Sequence, residues 1–261
     1  MAKFFLEEMS WPEVRDVLKE TDLAVLPVGC TEEHGLHLPL NVDTACVRYI
    51  SQKVAAQLYE KHRHRIVVAP FIPYGDTNLF EFPGTLSIRA ETLSNLVHDV
   101  CRGLIRHGFR RLLILNGHFG NVPHLIAVGR KILSEFPHHY FVLVNWWNLA
   151  SEVIPEIRES EVGGMFHACE LETSVSLVIQ PDRVSMDKAV KQLLKFPLSP
   201  SFASPDMFSP QRVTFMHSPK AIGDSGVMGD PTLANREKGE KILKTVIDNL
   251  VTLVLELKEA P

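Results

Sequence analysis

Apolar residues follow two rhythms along this chain: short unbroken runs, and longer stretches in which they return every third or fourth position. The unbroken runs fall at residues 23–29, 65–70, 111–117 and 140–145, the clearest being Arg111-Leu112-Leu113-Ile114-Leu115-Asn116-Gly117. Runs of that length, closed by Gly, Pro or Asn, read as strands buried on both faces. The spaced stretches predict helices. Ser10-Trp11-Pro12-Glu13 forms a capping box that opens a short helix to about Glu20. Residues 43–59 carry Val47, Ile50, Val54 and Leu58 on one face, and residues 91–107 carry Leu93, Leu96, Val97, Val100, Leu104 and Ile105. Further helices are expected over 123–135, 171–179 and 231–258, the last with Val246, Ile247, Leu250, Leu253, Val254 and Leu257 as its apolar stripe.

Strands that alternate with helices and are apolar throughout predict an α/β fold: a mostly parallel sheet covered on both faces, a three-layer α/β/α arrangement. The crossovers should be right-handed. The pattern weakens over 146–164, where irregular structure is expected. Residues 195–230 hold Pro197, Pro200, Pro205, Pro210 and Pro219 with several Gly and Ser, a loop long enough to cover a site. No repeat or low-complexity tract interrupts the chain, so a single domain over 1–261 is the simplest organisation.

Composition narrows the function. The chain has 261 residues, 45% hydrophobic and 22% charged, so it can bury a sizeable core without disulfides. A net charge of −4 gives no footprint for nucleic acid or an anionic membrane surface. No apolar run approaches the roughly 18 residues of a membrane span. Met1-Ala2-Lys3-Phe4-Phe5-Leu6-Glu7-Glu8 meets charge too early for a secretory signal, and Cys30, Cys46, Cys101 and Cys169 are scattered with no C-x-x-C pair. These features predict reduced thiols and a cytoplasmic protein. The twelve histidines stand out and hint at metal chemistry.

In open α/β sheets, ligands gather beyond the carboxyl ends of the strands. After the first strand come Cys30-Thr31-Glu32-Glu33-His34-Gly35-Leu36-His37, then Asp43 at the start of a helix. After the third come Asn116-Gly117-His118-Phe119-Gly120-Asn121. Glu32 and His34, two apart in an extended segment, point the same way. Asp43 has its charge favoured by the helix dipole. Taken singly, each has an ordinary explanation: Glu33 beside Glu32 as a solvated pair, His118 as a loop histidine. Together on one rim they predict a mixed oxygen and nitrogen site suited to zinc, manganese or iron. A third cluster, His167-Ala168-Cys169-Glu170-Leu171-Glu172-Thr173-Ser174, opens another helix. Its acids could merely cap that helix, or Glu170 could bind metal while His167 carries a proton. Glu170 and Glu172, two apart on a helix, cannot both face one ion squarely.

Rival chemistries are weaker. Carboxylates beside Cys30 and Cys169 would raise a thiol's pKa, against the needs of a nucleophile. No G-x-S-x-G follows a strand, and Ser225 reads as part of a turn. The glycine patterns of phosphate-binding and dinucleotide-binding loops are absent, which leaves a non-catalytic small-ligand module as the main alternative to an enzyme.

Leu26-Pro27-Val28-Gly29-Cys30-Thr31-Glu32-Glu33-His34-Gly35-Leu36-His37-Leu38-Pro39, followed by Asp43-Thr44, resembles the opening motif of the creatininase family of metal-dependent amidohydrolases. Residues 116–121, residues 167–174 and Phe82-Pro83-Gly84-Thr85 resemble its later motifs, in the same order. The resemblance implies a hydrolase of a non-peptide C–N bond in a small molecule, with two divalent metal ions. Glu32 and His118 would hold one ion, His34 the other, and Asp43 would bridge them. His167 would protonate the leaving nitrogen. Independently of the resemblance, backbone N–H groups over 117–121 are candidates to stabilise the oxyanion of such a reaction. Creatinine-cleaving members carry a glutamate ligand where this chain has Gly120; Glu170 is the expected replacement, with Glu172 as the alternative for completing the second site. Trp146 and Trp147 fall where those members enclose a flat ring. The family also includes enzymes acting on formamides, a peptide-derived cofactor precursor and an oxidised cyclitol. It further implies a homo-oligomer, ring-like or hexameric. The Phe4-Phe5-Leu6 start, read as exposed, is a candidate interface on its own account.

Overall fold

The computed structural model describes residues 3–216, 218 and 222–261; Met1, Ala2, His217 and Pro219 lie outside them. Thirteen helices and strands matter here. They are α1 (Trp11–Val17), β1 (Leu23–Val28), α2 (Val42–His62), β2 (Val67–Val68), α3 (Ala90–His107), β3 (Arg111–Asn116), α4 (Val122–Glu135), β4 (Tyr140–Asn145), α5 (Ile154–Ile157), β5 (Met165–His167), α6 (Glu170–Ile179), β6 (Met228–Gly229) and α7 (Arg236–Glu259). At the start of α1 the Ser10 N–H and hydroxyl both donate to Glu13 Oε2, at 2.7 and 2.8 Å.

The main sheet is parallel, in the order β2-β1-β3-β4. Because side chains alternate along a strand, each strand feeds both faces. Leu23, Val25, Leu113 and Leu115 pack with Val47, Ile50 and Val54 of α2 and Ile242, Val246 and Leu250 of α7. Ala24, Leu26, Val28, Leu112 and Ile114 pack on the other side with Leu93 and Val97 of α3 and Leu125, Val128 and Ile132 of α4. The three-layer α/β/α architecture follows from that division.

Several sequence expectations change. The strand expected over 65–70 shortens to β2, at the sheet edge, where Phe5 bridges to Val68. Phe4 and Phe5 lean on one core cluster and Leu6 on the other, so the apolar start is half-buried within the chain. Trp146 and Trp147 are likewise core residues, 2% and 4% exposed. A second sheet pairs β5 with β6 antiparallel. Strands of three and two residues are too short to carry a period and escaped the sequence pattern.

Register sets the functional rim. Val28, Asn116 and Asn145 lie side by side at the carboxyl ends of β1, β3 and β4. The chain leaving β1 and the chain leaving β3 therefore emerge as neighbours.

Candidate metal centre

Asn116 ties the two exits together. Its side-chain amide donates to the His118 carbonyl (2.7 Å) and to Asn145 Oδ1 (2.9 Å), while its Oδ1 accepts from the His118 N–H. Asn121 reaches across to the Gly29 carbonyl at 3.0 Å. The β1 exit then runs through Glu32 and His34 to Asp43 in the first turn of α2, a position where the helix dipole favours a carboxylate.

Five of the predicted residues converge. His118 Nδ1 lies 2.9 Å from Glu32 Oε1 and 3.2 Å from Asp43 Oδ2. His34 Nε2 lies 3.2 Å from Asp43 Oδ1, so one carboxylate spans two imidazoles. His167, at the end of β5, brings Nδ1 to 3.9 Å from Glu32 Oε1, and its ring stands 4.5 Å from that of His34. All five are buried.

Each imidazole is held the same way. One ring nitrogen meets a backbone carbonyl: His34 Nδ1 that of Glu32 (3.2 Å), His118 Nε2 that of Asp76 (3.0 Å), His167 Nε2 that of Glu33 (2.9 Å). The other nitrogen faces the shared spot. Such outer contacts fix tautomer and ring orientation at metal sites.

Glu170 does not join them. Its carboxylate accepts the Glu159 and Ser160 N–H groups at 3.1 and 3.0 Å and the Lys238 ammonium of α7. Glu172 faces the centre instead, with Oε1 3.9 Å from His34 Nε2. The expectation for Glu170 is therefore corrected to Glu172. Positions two apart on a helix differ by about 200° in direction, and α6 begins after Ala168, which sits in the left-handed region at φ 49°. Gly120 is open for a close approach: a Cβ there would collide with the Asp76 carbonyl and the His118 ring.

Sequence reasoning also missed Glu33 and His37. Glu33 is 6% exposed, not a solvated partner of Glu32. His37 Nε2 meets Thr173 Oγ1 at 2.8 Å, tying the β1–α2 loop to α6, and burial holds this ring down at about 4. The proximity of both to the E-x-H segment was the available signal.

Charge is balanced by protons. Burial alone would pull His34 down, but Asp43, Glu172 and Glu32 outweigh it and lift it from 6.5 to about 10. Burial also opposes the charge on His118, and Glu32 and Asp43 raise it well above the usual histidine range. Burial works against the Asp43 anion, yet His34 and His118 hold its carboxyl below the ordinary value. Burial lifts Glu172. Burial pushes the Cys30 thiol up to about 12, which removes it as a nucleophile at neutral pH.

Glu32 Oε2, His34 Nε2 and Asp43 Oδ2 are buried without an aligned hydrogen-bond partner. Orphaned groups of this kind cost about 1–3 kcal/mol each. Cations at this spot would satisfy all three, and a donor set mostly of carboxylate and imidazole, with the Cys30 thiol beside Asp43 and His118, fits divalent ions. A pH dependence follows. A histidine raised from 6.5 to about 10 gives stability that is complete below pH 6.5 and is lost as pH climbs toward 10. Chelator-treated protein should melt at falling temperature across that window, and metal affinity should rise over it as the competing protons leave. Thermal melts and metal titrations at stepped pH check both.

The family profile described as "Creatininase: Creatinine amidohydrolase" matches residues 7–254. A creatinine amidohydrolase of Pseudomonas putida is 29% identical over 97% of this chain and 96% of its own. A 3-dehydro-scyllo-inosose hydrolase of Thermotoga maritima (strain MSB8) is 28% identical over 98% and 84%. A mycofactocin precursor peptide peptidase of Mycobacterium ulcerans is 29% identical over 97% and 88%. Among solved structures, one titled "Creatininase Mn" aligns with TM-score 0.84 at 27% identity, over 99% of this chain and all of the other. A mutant creatininase of Zn–Zn type aligns with TM-score 0.83 at 27% identity over the full length of both. A profile match over nearly the whole chain, on a fold shared end to end with solved creatininases, places this chain in the creatininase family.

Proposed function

We propose that this hydrolase cleaves a C–N bond of a small cyclic amide or formamide by metal-assisted attack of water. The observation that carries the reading is Asp43, whose two oxygens reach different histidines, each with a second carboxylate beside it. Glu32 and His118 would hold one divalent cation, His34 and Glu172 another, and Asp43 would bridge them. Zinc and manganese are the candidate ions. Such a pair supplies Lewis acidity at the carbonyl oxygen and brings the pKa of attacking water near about 7.

The chain's own residues do the rest. His167 keeps Nδ1 toward the centre, where it can take a proton from the attacking water and deliver it to the departing nitrogen. The backbone is less available than the sequence suggested: the Gly117 N–H is bonded to Val28 and the Asn121 N–H to His118. Oxyanion stabilisation by those two groups is therefore dropped.

Gly120 favours a second reading, a different substrate for the same apparatus. The Asp76 carbonyl fills the place from which a side chain at 120 would start, so a glutamate ligand there has no room. An oxidised cyclitol ring or a small peptide is then the alternative.

Elemental analysis of purified protein, paired with a screen of creatinine, N-formyl compounds, an oxidised cyclitol and short peptides, tests both. Two ions per chain with amide or formamide turnover supports the first reading; turnover confined to the cyclitol or peptides supports the second. Protein that binds neither zinc nor manganese would end the proposal. His167→Ala should lower turnover by about 10²–10⁴-fold with metal content unchanged. Loss of metal in that variant would make the histidine a ligand instead.

A further inference from the structure

All three imidazoles of the centre rest an outer nitrogen on a backbone carbonyl, but among the described residues only His167 has a carboxylate there as well. Glu33 Oε1 lies 3.3 Å from His167 Nε2, beside the Glu33 carbonyl at 2.9 Å. The outer nitrogens of His34 and His118 have no ion-pair contact; their carboxylate neighbours are all on the inner side. The distinction matches two jobs. A ligand imidazole must be neutral to donate its lone pair. A proton carrier must be oriented in one tautomer and must become cationic in transit, and a carboxylate on its far nitrogen serves both needs.

The Glu33 side chain is itself clamped. Its Oε2 accepts the Gly35 N–H at 2.7 Å, and its own N–H donates to Thr85 Oγ1 at 2.9 Å. Gly226 lies so close that a Cβ there would run into the carboxylate. Glu33 Oε1, by contrast, is buried and has no aligned hydrogen-bond partner. Among the described residues, its one ion-pair contact is the His167 ring.

We infer that Glu33 is the positioning residue of His167: it holds the ring with the proton on Nε2 and faces the charge that the ring carries between two proton transfers. In the cycle, Nδ1 takes a proton from water as the C–O bond forms. It returns that proton to the nitrogen as the C–N bond breaks, so ring and carboxylate end as they began. The inference rests on His167 acting as proton carrier, the reading proposed above.

The test uses zinc-loaded protein. Glu33→Gln keeps an oxygen for the Gly35 N–H and removes the charge. It should lower kcat roughly 10–100-fold, as loss of an outer partner does elsewhere, with KM, zinc content and melting temperature near the parent's. On histidine-labelled protein, long-range nitrogen NMR should show one His167 tautomer in the parent, bare at Nδ1, and a mixture in the variant. Glu33→Ala, which also frees the Gly35 N–H, should show the same tautomer change plus a lower melting temperature. A Glu33→Gln protein with parental kcat and an unmixed tautomer would overturn the inference. If His167→Ala itself left turnover intact, the proton-carrier reading would fail with it. If no screened compound turns over, the tautomer comparison alone decides.

Discussion

Asp43→Asn is expected to cost the protein its bound metal and to lower turnover by roughly 10³-fold or more. The carboxylate is 3% exposed and touches His34 with one oxygen and His118 with the other. An amide keeps the shape but gives up the charge and one acceptor, so a cation held there loses part of its donor set. The metal-free protein changes too. With Asp43 gone, His34 loses the largest of the influences that raise it, and burial then drives it back toward neutrality. Elemental analysis, turnover and the pH dependence of melting should therefore shift together in this variant. Full metal content in Asp43→Asn would show that the bridge is dispensable.

The second large effect concerns stability and separates two neighbouring glutamates. Glu170→Gln should destabilise the folded chain by about 3 kcal/mol, because removing one member of a buried ion pair strands the other. Lys238 is 6% exposed and, among the described residues, would keep only Glu159, at 2.9 Å, as an ionic partner. That loss corresponds to a fall of roughly 10 °C in melting temperature, with metal content unchanged. Glu172→Gln should do the reverse: the His34-side cation is lost or weakened while the chelated protein melts near the parent's temperature. If Glu170→Gln depleted metal and Glu172→Gln did not, the correction made from the geometry would be wrong.

Much of the architecture was readable. The runs at 111–117 and 140–145 and the spacing of Leu93, Val97 and Leu104 announce themselves because burial imposes a period on every residue of a long element. The rim was readable for the same reason, since the end of a buried strand is where polar residues resume; that is how Glu32, His34, Asp43 and His118 were singled out. The Glu170 reading failed because facing is not a local property there. Which of two acids turns inward depends on the backbone at Ala168 and on Lys238, 68 positions along. Glu33 was missed because a doublet of acids looks solvated until the loops around Thr85 and Gly226 close over it.

The ligand candidates come from well-separated stretches: the β1 exit, the β3 exit and α6. A cation held among them would act as a clasp between distant stretches of the chain that no disulfide cross-links. Binding to the folded form alone adds about 1.4 kcal/mol of resistance to unfolding for each tenfold rise in free ion above its dissociation constant, per site. Heat tolerance would then be a property of the medium as much as of the polypeptide, high where trace divalent ions are plentiful and low where a chelator has removed them.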